Sequence, residues 1–268
     1  MLAAKDVGFA YPGGRQVFAQ LEFSVAAGSV AALVGRNGSG KSTLLRLCNG
    51  LLKPTTGSIW IGGADARFLP ASKLAHVVGT VFQSPEQQIF KSRVSDEVSF
   101  GPRQLGLGAR QIEQRVEEAL FRAGLQKLAS AHPLDLNRTL QRFVALASAL
   151  AMKPRLLLLD EPQQGMDKTA LKRLEIILHE EKAAGVAVVV VCHDMEFVSR
   201  NADEVLVLSD GHLVAHGSPI EVFSASVVLE KAGLVAPENL QLSSRLGLSL
   251  ALSAEQLVAE WLRHLSAH

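Results

Sequence analysis

The sequence predicts an α/β fold in which helices cover both faces of a mainly parallel central sheet. Apolar runs of strand length (SVAALV, VVGTVF, LLLLD, VAVVVVC and EVLVLS) alternate with longer segments of helical spacing. Continuous valine and leucine runs are typical of strands buried on both faces of a parallel sheet. The segments KDVGFAY and QLEFSV alternate polar and apolar residues instead. We expect them to form, with GSIWIGG, a smaller antiparallel β edge layer.

A helical pattern lies between two of the predicted strands. Residues 111–123 place Ile112, Val116 and Leu120 on one helix face. We therefore expect a helical insertion at about residues 90–150.

The C-terminal part of the chain has no β pattern, and its best helical segment is residues 254–265. The apolar stripe of that helix consists of Leu257, Trp261 and Leu265. We expect two domains: residues 1–225, which include the insertion, and a small C-terminal helical domain at residues 226–268.

The composition is that of an ordinary globular protein. The chain has 268 residues, of which 48% are hydrophobic and 20% are charged, so it can bury one sizeable core. Its net charge of +1, without a concentrated basic face, argues against nucleic acid as a partner.

The cysteines and the apolar runs favour a cytosolic protein. Cys48 and Cys192 lie in apolar surroundings without metal-ligand spacing, so we expect reduced core residues. No apolar run approaches the ~18 residues of a membrane span, and the N-terminus lacks the pattern of a secretory signal. Contact with a membrane would then pass through another polypeptide.

The strongest motif is GRNGSGKST, residues 35–43, which fits G-x-x-x-x-G-K-[ST] between an apolar strand and a helical run. Glycines let the backbone fold around phosphates, and the following helix adds its positive N-terminal end. Lys41 should reach the β- and γ-phosphates of ATP, and Ser42 should bind Mg²⁺. We therefore predict a P-loop NTPase. The nucleotide-binding residues expected in this loop are Gly35, Asn37, Gly38, Ser39, Gly40, Lys41, Ser42 and Thr43.

Two adjacent carboxylates follow the apolar run LLLLD. Asp160 and Glu161 should project at the carboxyl end of a central strand, where open α/β sheets bind ligands. Asp160 is predicted to hold Mg²⁺ through water, and Glu161 to orient and deprotonate the water that attacks the γ-phosphate. A pair of acids that merely starts a loop is the alternative, and the P-loop in the same chain argues against it.

Three further residues follow or end predicted strands. His193 could donate a hydrogen bond to the γ-phosphate, although a lone histidine there is more often structural. Gln83 could bind the metal ion or water and contact a mobile neighbouring segment. Tyr11, the only tyrosine, could stack on adenine or simply occupy a turn.

The series Tyr11, P-loop, Gln83, LLLLDEP and His193 resembles the ATPase subunit of ABC transporters over residues 1–225. Such ATPases act as head-to-tail dimers, in which each nucleotide lies between one subunit's P-loop and the other's signature sequence, LSGGQ. The resemblance implies that ATP closes the dimer and that hydrolysis drives a membrane partner. It also implies that Asp167 contacts the opposite subunit.

Two segments narrow this resemblance. FQSPEQQIF, residues 82–90, and VSDEVSFGPRQLGL, residues 94–107, are similar to FQNPDDQIF and DVAFGPxNLGL of energy-coupling-factor ATPases, which power uptake of cobalt, nickel and vitamins. Ser84 and Gln87 depart from that pattern. The C-terminal helices are similar to the dimerisation region of that group. The implied partners are a second ABC ATPase subunit, a transmembrane coupling protein and a membrane-embedded substrate-binding protein.

The signature glycines of the family are missing. Aligning FVALASALA with RVAIASALA, which follows LSGGQKQ in the family, gives an altered signature that consists of Leu136, Asn137, Arg138, Thr139 and Leu140. In the family the serine and the glycine N–H groups bind the γ-phosphate held by the partner, and side chains would block that close approach. Asn137 can still cap the helix. Arg138 could reach phosphate, or the segment is only a structural helix start.

The altered signature affects the surface that this chain lends to its partner, while its own P-loop, Glu161 and His193 are intact. We therefore expect an asymmetric heterodimer in which an intact signature on another ATPase completes this subunit's site. A homodimer would carry the defect at both sites and turn over slowly.

The leading hypothesis is an ATP-hydrolysing subunit at the cytoplasmic face of the cell membrane. Two other functions are alternatives to it. A nucleotide-binding regulatory module that barely hydrolyses ATP is favoured by the altered signature and opposed by Glu161 and His193. A soluble ABC ATPase that acts on DNA or ribosomes is opposed by the absence of a basic face and of long coiled-coil insertions. The transported substrate cannot be predicted, because a motor subunit does not touch the cargo.

Overall fold

Two β-sheets form the framework of the chain, whose computed structural model describes residues 1–14 and 16–266. The strands are β1 (Leu2–Ala10), β2 (Gln16–Val25), β3 (Val30–Val34), β4 (Thr56–Ile61), β5 (Ala64–Asp65), β6 (Val78–Val81), β7 (Leu156–Asp160), β8 (Ala187–Val191), β9 (Glu204–Ser209) and β10 (His212–Gly217). One sheet is antiparallel with the order β2-β1-β4-β5. The other has the order β10-β9-β3-β8-β7-β6, and its strands are parallel except for β10. The predicted fold class is therefore confirmed.

The helices lie between and after these strands. They are α1 (Lys41–Cys48), α2 (Ala71–Leu74), α3 (Val94–Gln104), α4 (Ala109–Ala123), α5 (Arg138–Ala151), α6 (Lys168–Ala183), α7 (Met195–Asn201), α8 (Pro219–Ser224), α9 (Ser226–Ala232), α10 (Glu238–Arg245) and α11 (Ala254–Ser266). Helices α3, α4 and α5 pack on one another between β6 and β7. The division of the chain into domains at residues 225 and 226 stays a prediction.

The parallel sheet separates two apolar cores. Every residue of β3, β7 and β8 is buried, as the continuous apolar runs predict for strands covered on both faces. Alternate residues of β7 point to opposite sides: Leu157 and Leu159 join the core beneath α3–α7, whereas Leu156 and Leu158 join the core shared with α1 and the antiparallel sheet. These packed layers fix the strand ends that carry the polar residues.

Two details of the sheet differ from the sequence prediction. Strand β7 was expected to be central, but it lies one place from the edge, because β6 adds outside it. Strand β10 was not predicted. It forms a hairpin with β9 through Asp210 and Gly211, which have φ values of 46° and 76°. Two consecutive positive φ values are typical of the tight hairpin turn that Asp-Gly favours.

The C-terminal helices are tied to α7. The carboxylate of Glu196 accepts hydrogen bonds from the backbone N–H of Glu238 and, at 3.2 Å, from Asn239 Nδ2. Ser199 Oγ donates to the carbonyl of Leu252 at 3.1 Å. In α11, Leu257 is buried, whereas Trp261 and Leu265 of the same stripe are 49% and 61% exposed. Part of the stripe therefore faces solvent.

Cys48 and Cys192 are buried and free, in agreement with the predicted core position. Burial raises the pKa of each thiol to about 12. Within the described residues, no helix combines the length and the apolar character needed to cross a membrane.

Candidate functional site

The P-loop connects β3 to α1, and two of its glycines are required by close contacts. Gly35 has φ 148°, and a Cβ there would lie 2.1 Å from the carbonyl oxygen of Leu208. Gly40 has φ 104°, and its Cβ would lie 2.5 Å from the ring of Phe18. Side chains at these positions would push the loop away from the sheet, so the loop keeps its shape only with glycine.

Lys41 is held inside this loop. Its side chain is buried, and Nζ donates to the carbonyls of Gly35 at 2.8 Å and Arg36 at 2.9 Å. Burial lowers the pKa of Lys41, while the negative charges of Glu161 and Asp160 oppose that shift. The ammonium group is thus placed between the loop backbone and the two carboxylates.

Asp160 and Ser42 form a pair that fits a magnesium ion. Burial raises the pKa of Asp160, and a hydrogen bond from the Ser42 side chain opposes that shift. A bound cation would relieve the unfavourable burial of this carboxylate, and hydroxyl and carboxylate oxygens are ligands that Mg²⁺ accepts. Mg²⁺ would supply positive charge against the phosphates when bound.

Glu161 has an unusual backbone conformation for a residue other than glycine. Its φ is 49°, and its N–H donates to the carbonyl of Val191 at 3.0 Å. Such conformations persist where surrounding contacts enforce them, often at functional sites. Strand alternation along LLLLDE would predict that Glu161 turns away from Asp160. Instead, the strand ends at Asp160, and the left-handed turn sets the direction of Glu161.

Three predicted catalytic side chains meet at this turn. The carboxylate of Glu161 accepts a hydrogen bond from Gln83 Nε2 at 3.0 Å, and its other oxygen lies 2.9 Å from His193 Nε2. Glu161 follows β7, His193 follows β8, and Gln83 follows β6, so three neighbouring parallel strands deliver them to one edge. A carboxylate in this position can accept a proton from water, and the amide and imidazole can orient it.

Most of the predicted site residues line one cavity of about 1270 Å³. Its lining consists of Tyr11, Val17, Asn37, Gly38, Gly40, Lys41, Ser42, Thr43, Gln83, Glu161, Gln163, Gln164, Gly165, Met166, His193 and Asp194. The cavity therefore combines the P-loop, the three catalytic candidates and the residues after Glu161 in one chain.

Tyr11 lies at the rim of this cavity and is 37% exposed. Its hydroxyl is 3.2 Å from Thr43 Oγ1, and its ring meets Phe9 edge-on at a centroid distance of 4.9 Å. Tyr11 is thus held by two contacts and still exposes part of its surface, which is compatible with stacking on a base.

The altered signature begins α5 and lies outside the residues that line the cavity. Asn137 caps the helix: its Oδ1 accepts the N–H of Leu140 at 2.9 Å. Leu136 and Leu140 pack against the core.

The two residues at the glycine positions of the signature differ in their contacts. Thr139 Oγ1 donates to the carbonyl of Gly165 at 3.4 Å. Arg138 is 77% exposed and lies 3.7 Å from Glu86. The structure therefore separates this segment from the chain's own P-loop.

Residues 163–167, which we call the D-segment, connect Glu161 to α6. Asp167 caps α6, because its Oδ1 accepts the N–H of Ala170 at 2.8 Å.

Three residues near the site were not predicted from the sequence. Gln163 and Gln164 line the cavity, and Arg142 is a buried arginine of α5 that binds Gln164. The only sequence signal was the position of Arg142 at the start of an apolar helical run, because a charge buried there needs a partner.

The fold and the site define a P-loop ATPase of the ATP-binding-cassette class. A family model described as "ABC transporter" matches residues 18–164, and the chain belongs to that family, among its energy-coupling-factor ATPases. It is an enzyme, an ATPase coupled to transmembrane transport.

Known proteins support this assignment across most of the chain. A putative ABC transporter ATP-binding protein of Pyrococcus horikoshii is 38% identical over 96% of this chain and 98% of its own length. The energy-coupling factor transporter ATP-binding protein EcfA of Methanothermobacter thermautotrophicus is 36% identical over 92% of this chain and 80% of its own. The structure of cbiO1 from Clostridium perfringens, part of the ABC transporter complex cbiONQ, has a TM-score of 0.77 and 33% identity, and covers 86% of this chain and 93% of that one.

Proposed function

We propose that this chain is the ATP-hydrolysing subunit that powers an importer of a transition-metal ion or a vitamin from the cytoplasmic face of the cell membrane. The observation that carries the proposal is the meeting of Glu161 with Gln83 and His193 beside Lys41 in one cavity. In this proposal Lys41 holds the β- and γ-phosphates, and Glu161 removes a proton from the attacking water. Ser42 and Asp160 hold Mg²⁺, with Gln83 as a further metal or water ligand.

The class of importer follows from the resemblance to energy-coupling-factor ATPases. The relatives named EcfA and the cbiO1 structure, part of the cbiONQ complex, support this class. The partners in the proposal are a transmembrane coupling protein and a membrane-embedded substrate-binding protein.

The second ATPase subunit is proposed to be a different chain. The altered signature supports an asymmetric heterodimer, because Asn137 is engaged as a helix cap and the glycine positions carry Arg138 and Thr139. A partner with an intact signature would complete the site around Lys41. A homodimer would lack that contribution at both sites.

Residues 83–108 are the surface that we propose contacts the membrane partner. Phe90 is 60% exposed and meets Phe100 edge-on at 4.8 Å, with Lys91 Nζ 5.0 Å and 4.8 Å from the two ring centroids. Glu97 holds the backbone next to these rings, because its carboxylate accepts the N–H groups of Phe90 at 2.9 Å and Lys91 at 2.8 Å. A surface segment that begins at Gln83, in contact with Glu161, is well placed to pass movement at the γ-phosphate outward.

One experiment tests these elements together. A tag on this chain should recover a membrane complex that contains a second ABC ATPase and hydrolyses ATP. If the chain purified alone forms a dimer with robust ATPase activity, the heterodimer is wrong. If no membrane protein accompanies the chain, the importer is wrong.

A regulatory module that closes on ATP with little hydrolysis is the second candidate. The altered signature favours it, since a subunit without signature glycines gives its partner a poorer phosphate contact. Glu161 and His193 oppose it. Phosphate release measured with and without the second ATPase separates the two functions.

A further inference from the structure

Arg142 joins α5 to the D-segment inside the chain. Its side chain is buried, Nη1 donates to the carbonyl of Gln164, and Nη2 donates to Gln164 Oε1 at 3.2 Å. One guanidinium therefore holds both the backbone and the side chain of a single residue. This two-point contact restricts the D-segment more than a single hydrogen bond would.

The altered signature adds a second contact to the same turn. Thr139 Oγ1 donates to the carbonyl of Gly165 at 3.4 Å, next to the residue that Arg142 holds. Asn137 is occupied as the helix cap. Asn137 and Thr139 are thus engaged within this chain, and Thr139 and Arg142 both reach the D-segment.

The D-segment sets the turn at Glu161. The N–H of Gln164 donates to the carbonyl of Glu161 at 3.3 Å, and Asp167 fixes the other end of the segment to α6. Because Glu161 has φ 49°, its side-chain direction depends on this turn. Arg142 is also close enough to interact electrostatically with Glu161.

Arg142 and two residues associated with this contact carry buried polar atoms without partners. Arg142 Nε, Glu86 Oε2 and Gln163 Oε1 are buried and have no hydrogen-bond partner among residues 1–14 and 16–266. Glu86 and Arg138 also interact electrostatically with Arg142. Burial of polar atoms without partners costs folding free energy. Arg142 therefore occupies this position at an energetic cost, which is expected for a residue with a positioning role.

We propose that the altered signature helix acts within its own subunit: Arg142, assisted by Thr139, is a positioning residue that holds the D-segment and thereby Glu161. This inference rests on the proposed function, since it assigns Glu161 as the catalytic base. The rival interpretation is that the helix acts across the dimer, with the exposed Arg138 on the partner's phosphate.

The first test needs only the purified full chain. Hydrogen–deuterium exchange of residues 162–167 should be about tenfold faster or more in Arg142→Gln, because two partly buried hydrogen bonds from a charged group are lost. Arg142→Lys should give a smaller increase, and Arg138→Gln should leave this peptide unchanged. Exchange in β8 reports global unfolding and should stay unchanged in all three variants.

If Arg142→Gln exchanges like the wild-type chain, or if Arg138→Gln accelerates exchange equally, the proposal is wrong. If Arg142→Gln does not fold, Gln164→Ala in the exposed turn replaces it. That substitution removes the acceptor for Nη2 and should accelerate exchange in the same peptide. An unchanged rate in Gln164→Ala would then overturn the proposal.

The second test measures ATP turnover in the complex recovered through a tag on this chain. Arg142→Gln should lower kcat about tenfold with KM unchanged, since a positioning residue acts on the chemical step. Arg142→Lys should restore part of kcat, and Arg110→Gln on the exposed face of α4 is the matched control. Loss of activity in Arg138→Gln with normal Arg142→Gln would instead establish action across the dimer.

The two tests separate this inference from the proposed function. A complex that never hydrolyses ATP contradicts the proposed function, while the exchange result still decides whether Arg142 holds the D-segment. Faster exchange with unchanged kcat in an active complex would contradict the link from Arg142 to Glu161.

Discussion

Glu161 and His193 meet at the ends of adjacent strands, with Glu161 Oε1 2.9 Å from His193 Nε2. The other oxygen of the same carboxylate accepts a hydrogen bond from Gln83 at 3.0 Å. A carboxylate held from two sides keeps one direction, which general base catalysis needs. Gln83 begins the segment that leads to Phe90. Its contact with Glu161 therefore connects the proposed catalytic base to the proposed partner surface.

Replacing Lys41 should weaken ATP binding. Lys41→Ala removes the buried ammonium group beside the P-loop, and the loss of charge-assisted contacts predicts about tenfold to a hundredfold lower affinity. Isothermal titration of the full chain with Mg·ATP measures the change. Lys172→Ala, on an exposed part of α6, is the control and should bind ATP as the wild-type chain does. Equal affinity in Lys41→Ala would contradict the predicted phosphate contact.

Replacing His193 should slow hydrolysis more than it weakens binding. His193→Ala removes the group that contacts Glu161 and the predicted γ-phosphate donor, so we expect kcat to fall about a hundredfold. Steady-state phosphate release in the recovered complex measures kcat and KM separately. A lone structural histidine would instead leave kcat unchanged and lower thermal stability.

Asp160 should reduce stability at neutral pH. Burial raises the pKa of its carboxyl in the folded chain. The folded state therefore binds more protons than the unfolded state between the ordinary and the raised pKa, and its stability falls as pH rises through that window. Asp160→Asn cannot ionise, so it should melt at a higher temperature than the wild-type chain above this window, measured without Mg²⁺.

The wild-type chain and Asp160→Asn should melt alike below the ordinary pKa of the carboxyl. Asp135→Asn, at an exposed position, serves as the control for loss of one surface charge. A constant difference in melting temperature at every pH would show that ionisation of Asp160 is not its cause.

Glu196 should hold the C-terminal helices against α7. Glu196→Ala removes the acceptor for the N–H of Glu238 and for Asn239 Nδ2, at a cost of about 1–3 kcal/mol. Limited proteolysis should then release the segment after residue 237 faster, with Glu255→Ala as a control in α11. Unchanged cleavage would mean that apolar packing alone holds this region.

The exposed half of the α11 stripe should contact the second ATPase subunit. Trp261 and Leu265 are 49% and 61% exposed, and large apolar side chains at an interface carry much of its energy. Trp261→Asp should weaken subunit association by about 2 kcal/mol. Light scattering of the co-purified ATPase pair measures the change, and an unchanged association would exclude this surface.

The sequence predicted the strand ends well because local patterns determine them. Continuous apolar runs identified β3, β7 and β8, and the residues after them reached one cavity because parallel strands end at the same edge. The family assignment followed from the P-loop, LLLLDEP and FQSPEQQIF, which are contiguous motifs.

Features that depend on packing were not predicted. The place of β7 near the edge follows from the pairing of β6, which no local pattern specifies. The direction of Glu161 follows from a left-handed turn rather than from strand alternation. The contact of Arg142 with Gln164 joins residues 22 positions apart through the fold. Only the hairpin at Asp210 had a local signal, the Asp-Gly pair, that was overlooked.

The most direct test is ATP hydrolysis by Glu161→Gln in the complex recovered through a tag on this chain. If Glu161 is the catalytic base, this variant should bind Mg·ATP with wild-type affinity, retain it through purification, and release phosphate at least about a hundredfold more slowly. Hydrolysis at the wild-type rate, with ATP bound normally, would contradict the assignment of the catalytic site to Glu161.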